Sequence, residues 1–283
     1  DELHNLKCFS LTSYNVTFHY DELVVPLLRR MTHLENLTLY LRIRTLNRSV
    51  VDGTHLQSEI LVHMPKLHTF IFYINTEIYI HHLMPHKSIH DVRETFTNIK
   101  YGQTACIVDY VKTSTAIYHV YSLPFTFTRL ENITNQFPTI GFDTVTHLYA
   151  YDVVPMNHEF FMRINRDFPM LKFFSLKNEM EQSWNHGEYQ SDKNPSCSVI
   201  KYSNLISLDI THVNIDYVTQ FLLETKTCLP NLTELKVNYN QLKTVTMNFT
   251  RDATRYNCSK VKRLIVEQSR NFSKDVYQYF PSL

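Results

Sequence analysis

The chain has 283 residues, 43% of them apolar, with 18 Tyr and 18 Phe, and its 28 basic against 27 acidic side chains leave a net charge of +1. That balance excludes a global pull toward nucleic acid or an anionic membrane, and no apolar stretch is long enough to span a bilayer. The 4 glycines, Gly53, Gly102, Gly141 and Gly187, build none of the glycine-rich nucleotide-binding or hydrolase signatures.

In chain order, short strands of the pattern apolar-x-x-apolar-x-apolar alternate with helical stretches. Leu3/Leu6/Cys8 opens the ladder, with Cys8 at an inward strand position as a small buried hydrophobe. Asp21 caps a helix through Leu28, and Leu34/Leu37/Leu39 follows. Thr54 caps a helix through Val62, leading into Leu67/Phe70/Phe72. A break in the rhythm about residues 80–112 carries an extra helix, Ser88 to Ile99, and an extra strand, Cys106 to Tyr110. The ladder resumes at Ile117/Val120/Ser122, with a helix from Phe127 to Gln136, and continues at Val145/Leu148/Ala150.

The second half is more regular. A helix from Met156 to Arg166 precedes Leu171/Phe174/Leu176, and a polar, turn-rich surface loop about residues 182–198 holds Trp184 and Tyr189. Leu205/Leu208/Ile210, a helix from Asp216 to Thr227, Leu232/Leu235/Val237, a helix from Thr246 to Asn257 and Val261/Leu264/Val266 complete the series. Successive strand starts lie about 30 residues apart, except for one gap of about 50 before Ile117.

Four junctions share one punctuation: Met64-Pro-Lys-Leu67, Phe168-Pro-Met-Leu171, Leu229-Pro-Asn-Leu232 and Phe280-Pro-Ser-Leu283. Proline cannot continue a helix, and it drives the preceding residue into extended geometry, so each junction switches the chain from helix toward strand. A unit of this kind with a period near 30 predicts an α/β leucine-rich-repeat solenoid, a horseshoe with a curved parallel β-sheet on its concave face and helices on its convex face. One array is expected over residues 1–283. It is expected to be cut at both ends, because the chain opens on Asp1 rather than Met and its last unit starts at Phe280 without completing.

Candidate chemistry is sparse. His158-Glu159-Phe160-Phe161-Met162 approaches a zinc-protease helix motif, but Met162 stands where the second imidazole belongs. His81, His82, His86 and His90 cluster across Pro85, which interrupts the helix that would align them. No metal or cofactor is expected, no catalytic constellation stands out, and no enzyme is predicted. The 5 cysteines, Cys8, Cys106, Cys197, Cys228 and Cys258, include no C-x-x-C pair, which favours a reducing compartment, cytoplasmic or nuclear. Asn-x-Ser/Thr sequons at Asn15, Asn36, Asn47, Asn132, Asn231, Asn248, Asn257 and Asn271 supply the argument for the alternative, an extracellular or receptor-type repeat protein.

The outward strand positions are the more informative candidates. They include Phe9, Tyr40, Tyr73, Tyr121, Tyr149, Tyr151, Phe173, Asp209, Glu234, Lys236 and Arg263. The central copies are aromatic and the last ones charged, as a protein-binding concave face requires.

On the Φ-Pro-x-Leu-x-x-Leu-x-Val units at 64, 168 and 229, and on the segments Cys106 to Tyr110 and Ile117 to Pro124, the chain resembles the leucine-rich-repeat region of divergent invertebrate F-box-domain-containing proteins. The resemblance implies a non-catalytic recognition module in which the repeats select the substrate of an SCF-type ubiquitin ligase. It also implies that a cullin-ligase adaptor is bound only through an N-terminal F-box, of which no helices are visible before Leu3.

Overall fold

One short turn, repeated along the chain, precedes the strands that begin at residues 36, 69, 147, 173, 207, 234 and 263. The carbonyls of Met31, Met64, Phe142, Phe168, Tyr202, Leu229, Cys258 and Phe280 each accept the N–H of the residue three positions on, at 3.1 to 3.4 Å. The third positions so placed, Leu34, Leu67, Val145, Leu171, Leu205, Leu232 and Val261, are buried. Where proline follows, the first residue is held extended: Met64 has φ −120 and ψ 68, Phe168 φ −126 and ψ 65, Phe280 φ −110 and ψ 77. Two successive N–H groups beyond each turn then share one carbonyl of the preceding turn. His68 and Thr69 share that of Glu35, Lys172 and Phe173 that of Thr146, and Thr233 and Glu234 that of Ile206. The turn thus sets the strand register as well as the start.

The computed structural model describes residues 5–45, 49–79, 87–111, 114–138, 140–182, 198–267 and 272–283. The chain divides into two compact units, Asp1–Phe127 and Thr128–Leu283. Together they make an α/β protein whose strands and helices fall close to the expected order.

The first unit contains β1 (Cys8–Thr17), α1 (Val25–Arg29), β2 (Asn36–Arg44), α2 (Gly53–Glu59), β3 (Thr69–Tyr79), α3 (Ile89–Arg93), β4 (Thr104–Tyr110) and β5 (Thr115–Ser122). Its sheet runs β1-β2-β3-β5-β4. β1, β2 and β3 are parallel, whereas β5 is antiparallel to both β3 and β4. The parallel repeat expected at Ile117 is therefore corrected. β4 ends at Tyr110 and β5 begins at Thr115, and so short a link permits only an antiparallel hairpin, a parallel return needing about a dozen residues.

A second correction concerns β1. Phe9 pairs with Leu37 and Leu11 with Leu39, so the strand frame is Leu6/Phe9/Leu11 rather than Leu3/Leu6/Cys8. A shift by an odd number of residues turns every side chain to the other face. Phe9 accordingly packs against the core instead of pointing outward, and Cys8 is exposed beside the Asn36 amide. The core lies between the sheet and the helices, on Leu37, Leu39, Leu41, Ile43, Phe70, Phe72 and Ile74. The helices are shorter than expected. The one begun at Ser88 has the capping box with Asp91 but gives way after Arg93.

The second unit contains β6 (Arg129–Ile133), β7 (His147–Tyr151), α4 (His158–Asp167), β8 (Phe173–Asn178), β9 (Ile200–Lys201), β10 (Ser207–Val213), α5 (Ile215–Leu222), β11 (Thr227–Cys228), β12 (Glu234–Val237), α6 (Tyr239–Val245), α7 (Arg255–Cys258), β13 (Arg263–Ile265) and α8 (Lys274–Tyr279). Six strands form one sheet, β13-β12-β10-β8-β7-β6, and every pairing in it is parallel. Leu130, Leu148, Phe174, Leu208, Leu235 and Leu264 stand in one row across it and point into the core.

The helix expected from Phe127 to Gln136 is strand β6 instead. Pairing with β7 puts both Leu130 and Ile133 on the core side across a bulge, and Asn132 takes a left-handed φ of 55 that no helix accommodates. The helix expected from Thr246 to Asn257 is observed in that range only as the short α7, and a longer helix, α6, comes before it. Asn238 caps α6 through the N–H groups of Asn240 and Gln241, and left-handed Met247, Asn248 and Phe249 end it. The helix from Met156 is observed as α4, capped by Asn157 and burying Phe160, Phe161 and Ile164.

Asn257 ties this side of the unit together. Its amide donates to the carbonyls of Phe221 (3.2 Å), Leu222 (3.1 Å) and Thr227 (2.7 Å), and its Oδ1 accepts the N–H of Leu229 (2.8 Å).

Candidate functional site

With the leucine row directed inward, strand alternation turns the neighbouring residues of the six-stranded sheet outward. Register aligns them in two rows. The first is Arg129, His147, Phe173, Ser207, Glu234 and Arg263. The second is Tyr149, Ser175, Asp209, Lys236 and Ile265. A groove of ≈ 320 Å³ opens on this face, lined among others by Tyr149, Phe173, Ser175, Ser207, Asp209 and Lys236.

Its shape follows from side-chain size. Ser175 and Ser207 are small residues on the central strands, and larger side chains rise on both sides of them. One wall is aromatic: the His147 and Phe173 rings stack at 4.2 Å with an interplanar angle of 11°, and Phe173 remains 37% exposed. Arg129 lies 4.2 Å over the Tyr149 ring and also pairs with Glu131. The other wall is charged. Glu234 accepts the Ser207 hydroxyl at 2.9 Å and an Arg263 N–H at 2.9 Å. Asp209 Oδ1 accepts the Thr211 hydroxyl at 2.9 Å and its N–H at 3.2 Å. Lys236 sits between the two carboxylates, 3.9 Å from Asp209 and 3.8 Å from Glu234, too far for a hydrogen bond to either.

The field across the groove is graded. Burial, then Arg129 and Lys172, hold the His147 imidazole below the usual histidine range. Burial raises the Tyr149 hydroxyl, with Glu131 and Asp209 adding to it and Arg129 opposing. Arg129, paired with Glu131, and Lys172 thus act on His147 at one end of the groove, and the other end carries Asp209 and Glu234 beside Lys236 and Arg263.

The structure brings together Tyr149, Phe173, Asp209, Glu234 and Lys236 from the expected set, with Arg263 at the margin. Tyr151 belongs to the same face one row further on, where Lys177 reaches its ring at 5.6 Å. Trp184 and Tyr189 fall outside the described residues. His147, Ser175 and Ser207 stand at outward strand positions that the repeat pattern already indicates, whereas Arg129 lies in a segment whose spacing reads as a helix. The structure adds that the two serines are the small residues between larger neighbours.

In the first unit the expected exposure of Tyr40, Tyr73 and Tyr121 is corrected, for all three are buried. Phe125 and Phe127 lie over them: Phe127 is 5.3 Å from Tyr40, and Phe125 is 5.8 Å from Tyr73 and 5.4 Å from Tyr121. Further along the same face, His119 Nε2 is 3.3 Å from Asp109, while its Nδ1 meets the Tyr73 hydroxyl at 2.9 Å and the Asn75 amide at 3.2 Å. His119 and Asp109 are both fully buried, so this network fixes the packing of the mixed sheet and presents no reactive group.

Among the described residues no His, Cys, Asp or Glu group has the arrangement to hold a metal. His158 faces Gln220 and the Ser198 carbonyl, and His81, His82 and His86 lie outside the described residues. No described helix is long and apolar enough to cross a membrane. Compared with known proteins, the chain matches no family model, no curated protein and no solved structure.

Proposed function

We propose that the chain is a non-catalytic recognition module of the leucine-rich-repeat solenoid type, and that the outward face of its six-stranded parallel sheet binds a protein partner. The observation that carries this reading is the groove over Ser175 and Ser207, with an aromatic wall on one side and a charged wall on the other. Rigid strands that present Tyr and Phe beside charged groups supply large contact area at low entropic cost. The repeated turn, with its buried leucine and shared carbonyl, supports the repeat assignment in both units. By its resemblance to F-box proteins, the partner would be the substrate of a cullin ubiquitin ligase, and the adaptor would be met through an F-box preceding the repeats, in the cytoplasm or nucleus.

The test is proximity crosslinking in cells of the full-length protein against Tyr149→Ala and Phe173→Ala variants. Each should weaken the specific partner by about 30-fold, the effect of removing an interface hot spot of about 2 kcal/mol. Partners retained by both folded variants would refute the assignment of this face, and full-length protein that never co-purifies with a cullin adaptor would refute the ligase role.

A further inference from the structure

The groove has a definite chemical preference. Phe173 stacks one face of its ring on His147, and its other side borders the space over Ser207. Across that space stands Asp209, whose Oδ1 is engaged by Thr211, while the nearest ion-pair partner of Oδ2 among the described residues is Lys236 at 3.9 Å. An aromatic ring opposite a carboxylate, with serines as the floor, fits a flat cation. A guanidinium can lie against the ring while its N–H groups reach the carboxylate. We infer that the groove between Phe173 and Asp209 receives an arginine side chain of the bound protein, presented from an extended segment lying across the strands.

The inference rests on the reading of this face as a recognition surface, and it names what that surface selects. Charge placement bears on the choice of carboxylate: Glu234 is already bonded by Arg263, whereas the cation nearest Asp209 among the described residues is Lys236 at 3.9 Å, beyond hydrogen-bond reach. An acidic side chain entering over Ser207 would meet Asp209 and Glu234. A lysine would reach the carboxylate but lacks the planar group that stacks on the ring. Lys236 acts as the resident competitor, held between two carboxylates without a hydrogen bond to either, so an incoming guanidinium displaces little.

The probe is the capped peptide acetyl-Gly-Arg-Gly-amide, titrated into the full chain and followed by backbone amide NMR shifts, beside the lysine, citrulline and aspartate peptides. Saturable shifts centred on Ser175, Ser207 and Asp209 are expected for the arginine peptide, with at least ten-fold weaker binding for citrulline and aspartate and intermediate binding for lysine. Asp209→Asn should weaken the arginine peptide at least ten-fold, whereas Lys236→Met should tighten it, an effect that loss of folding could not produce. Equal binding of citrulline, preference for aspartate, or no saturable binding in a folded chain overturns the inference. If the arginine peptide fails while Phe173→Ala still loses a crosslinked partner, the recognition surface stands and only its arginine preference falls.

Discussion

Replacing Asn257 with alanine tests how the segments after α5 are held in the second unit. Its side chain is buried and bonds three carbonyls and one N–H from two separate segments. The two amide hydrogens serve three acceptors, so the strongest individual bonds are those to Thr227 at 2.7 Å and from Leu229 at 2.8 Å. Alanine would leave the Leu229 N–H and the Thr227 carbonyl buried without partners, each at a cost of about 1–3 kcal/mol. Phe221 and Leu222 sit at the end of α5, where helix carbonyls are already short of partners. The expected loss is about 3–5 kcal/mol, or roughly 6–15 °C in the melting of the second unit. Near-UV circular dichroism against urea gives the global value, and hydrogen exchange at the Leu229 amide gives the local one. A loss below about 1 kcal/mol, with Leu229 still protected, would show that water or backbone movement replaces the side chain and would refute the clamp. The same geometry bears on the sequon, since a folded Asn257 has no free amide to receive a glycan.

Two further outcomes follow from single positions. Gly53→Ala would place a Cβ 2.3 Å from the Thr95 carbonyl oxygen, a backbone atom that cannot swing aside, so the first unit should lose about 1–3 kcal/mol in a urea melt. His147 is held below its ordinary range in the folded chain, so the unfolded chain binds more protons between the depressed value and about 6.5. Stability of the parallel sheet should therefore rise with pH through that window and stay flat above it, and His147→Gln should remove that component of a pH series of melts.

The parallel sheet was legible because its signals are local. Φ-Pro-x-Leu ends a helix and starts a strand by backbone sterics alone, and the leucines at 232 and 235 report their own burial. Misreadings arose where a longer-range choice decides. Cys8 and Phe9 are both apolar and adjacent, so local periodicity cannot say which faces in, whereas pairing with β2 can. Leu130 and Ile133 have helical spacing, yet a bulge at Asn132 puts them on one face of a strand. Tyr40, Tyr73 and Tyr121 stand on the face opposite the leucine core, as alternation requires, but Phe125 and Phe127 arrive from beyond β5 to cover them. An outward position is a property of the strand, and exposure is a property of everything that packs on it.

That distinction locates the candidate site. The two units carry the same repeated turn and similar tyrosines, and among the described residues the groove opens on the outward face of the second. In the first unit the tyrosines make ring contacts of 4.6 to 6.5 Å with one another and with the covering phenylalanines, so their area serves folding. In the second, the row that matches Tyr40 and Tyr73 in distance from the repeated turn holds Tyr151 and Lys177, and the groove lies over the two rows before it, at Ser207 and Ser175. The groove is built by what the serines leave out as much as by the aromatics around them.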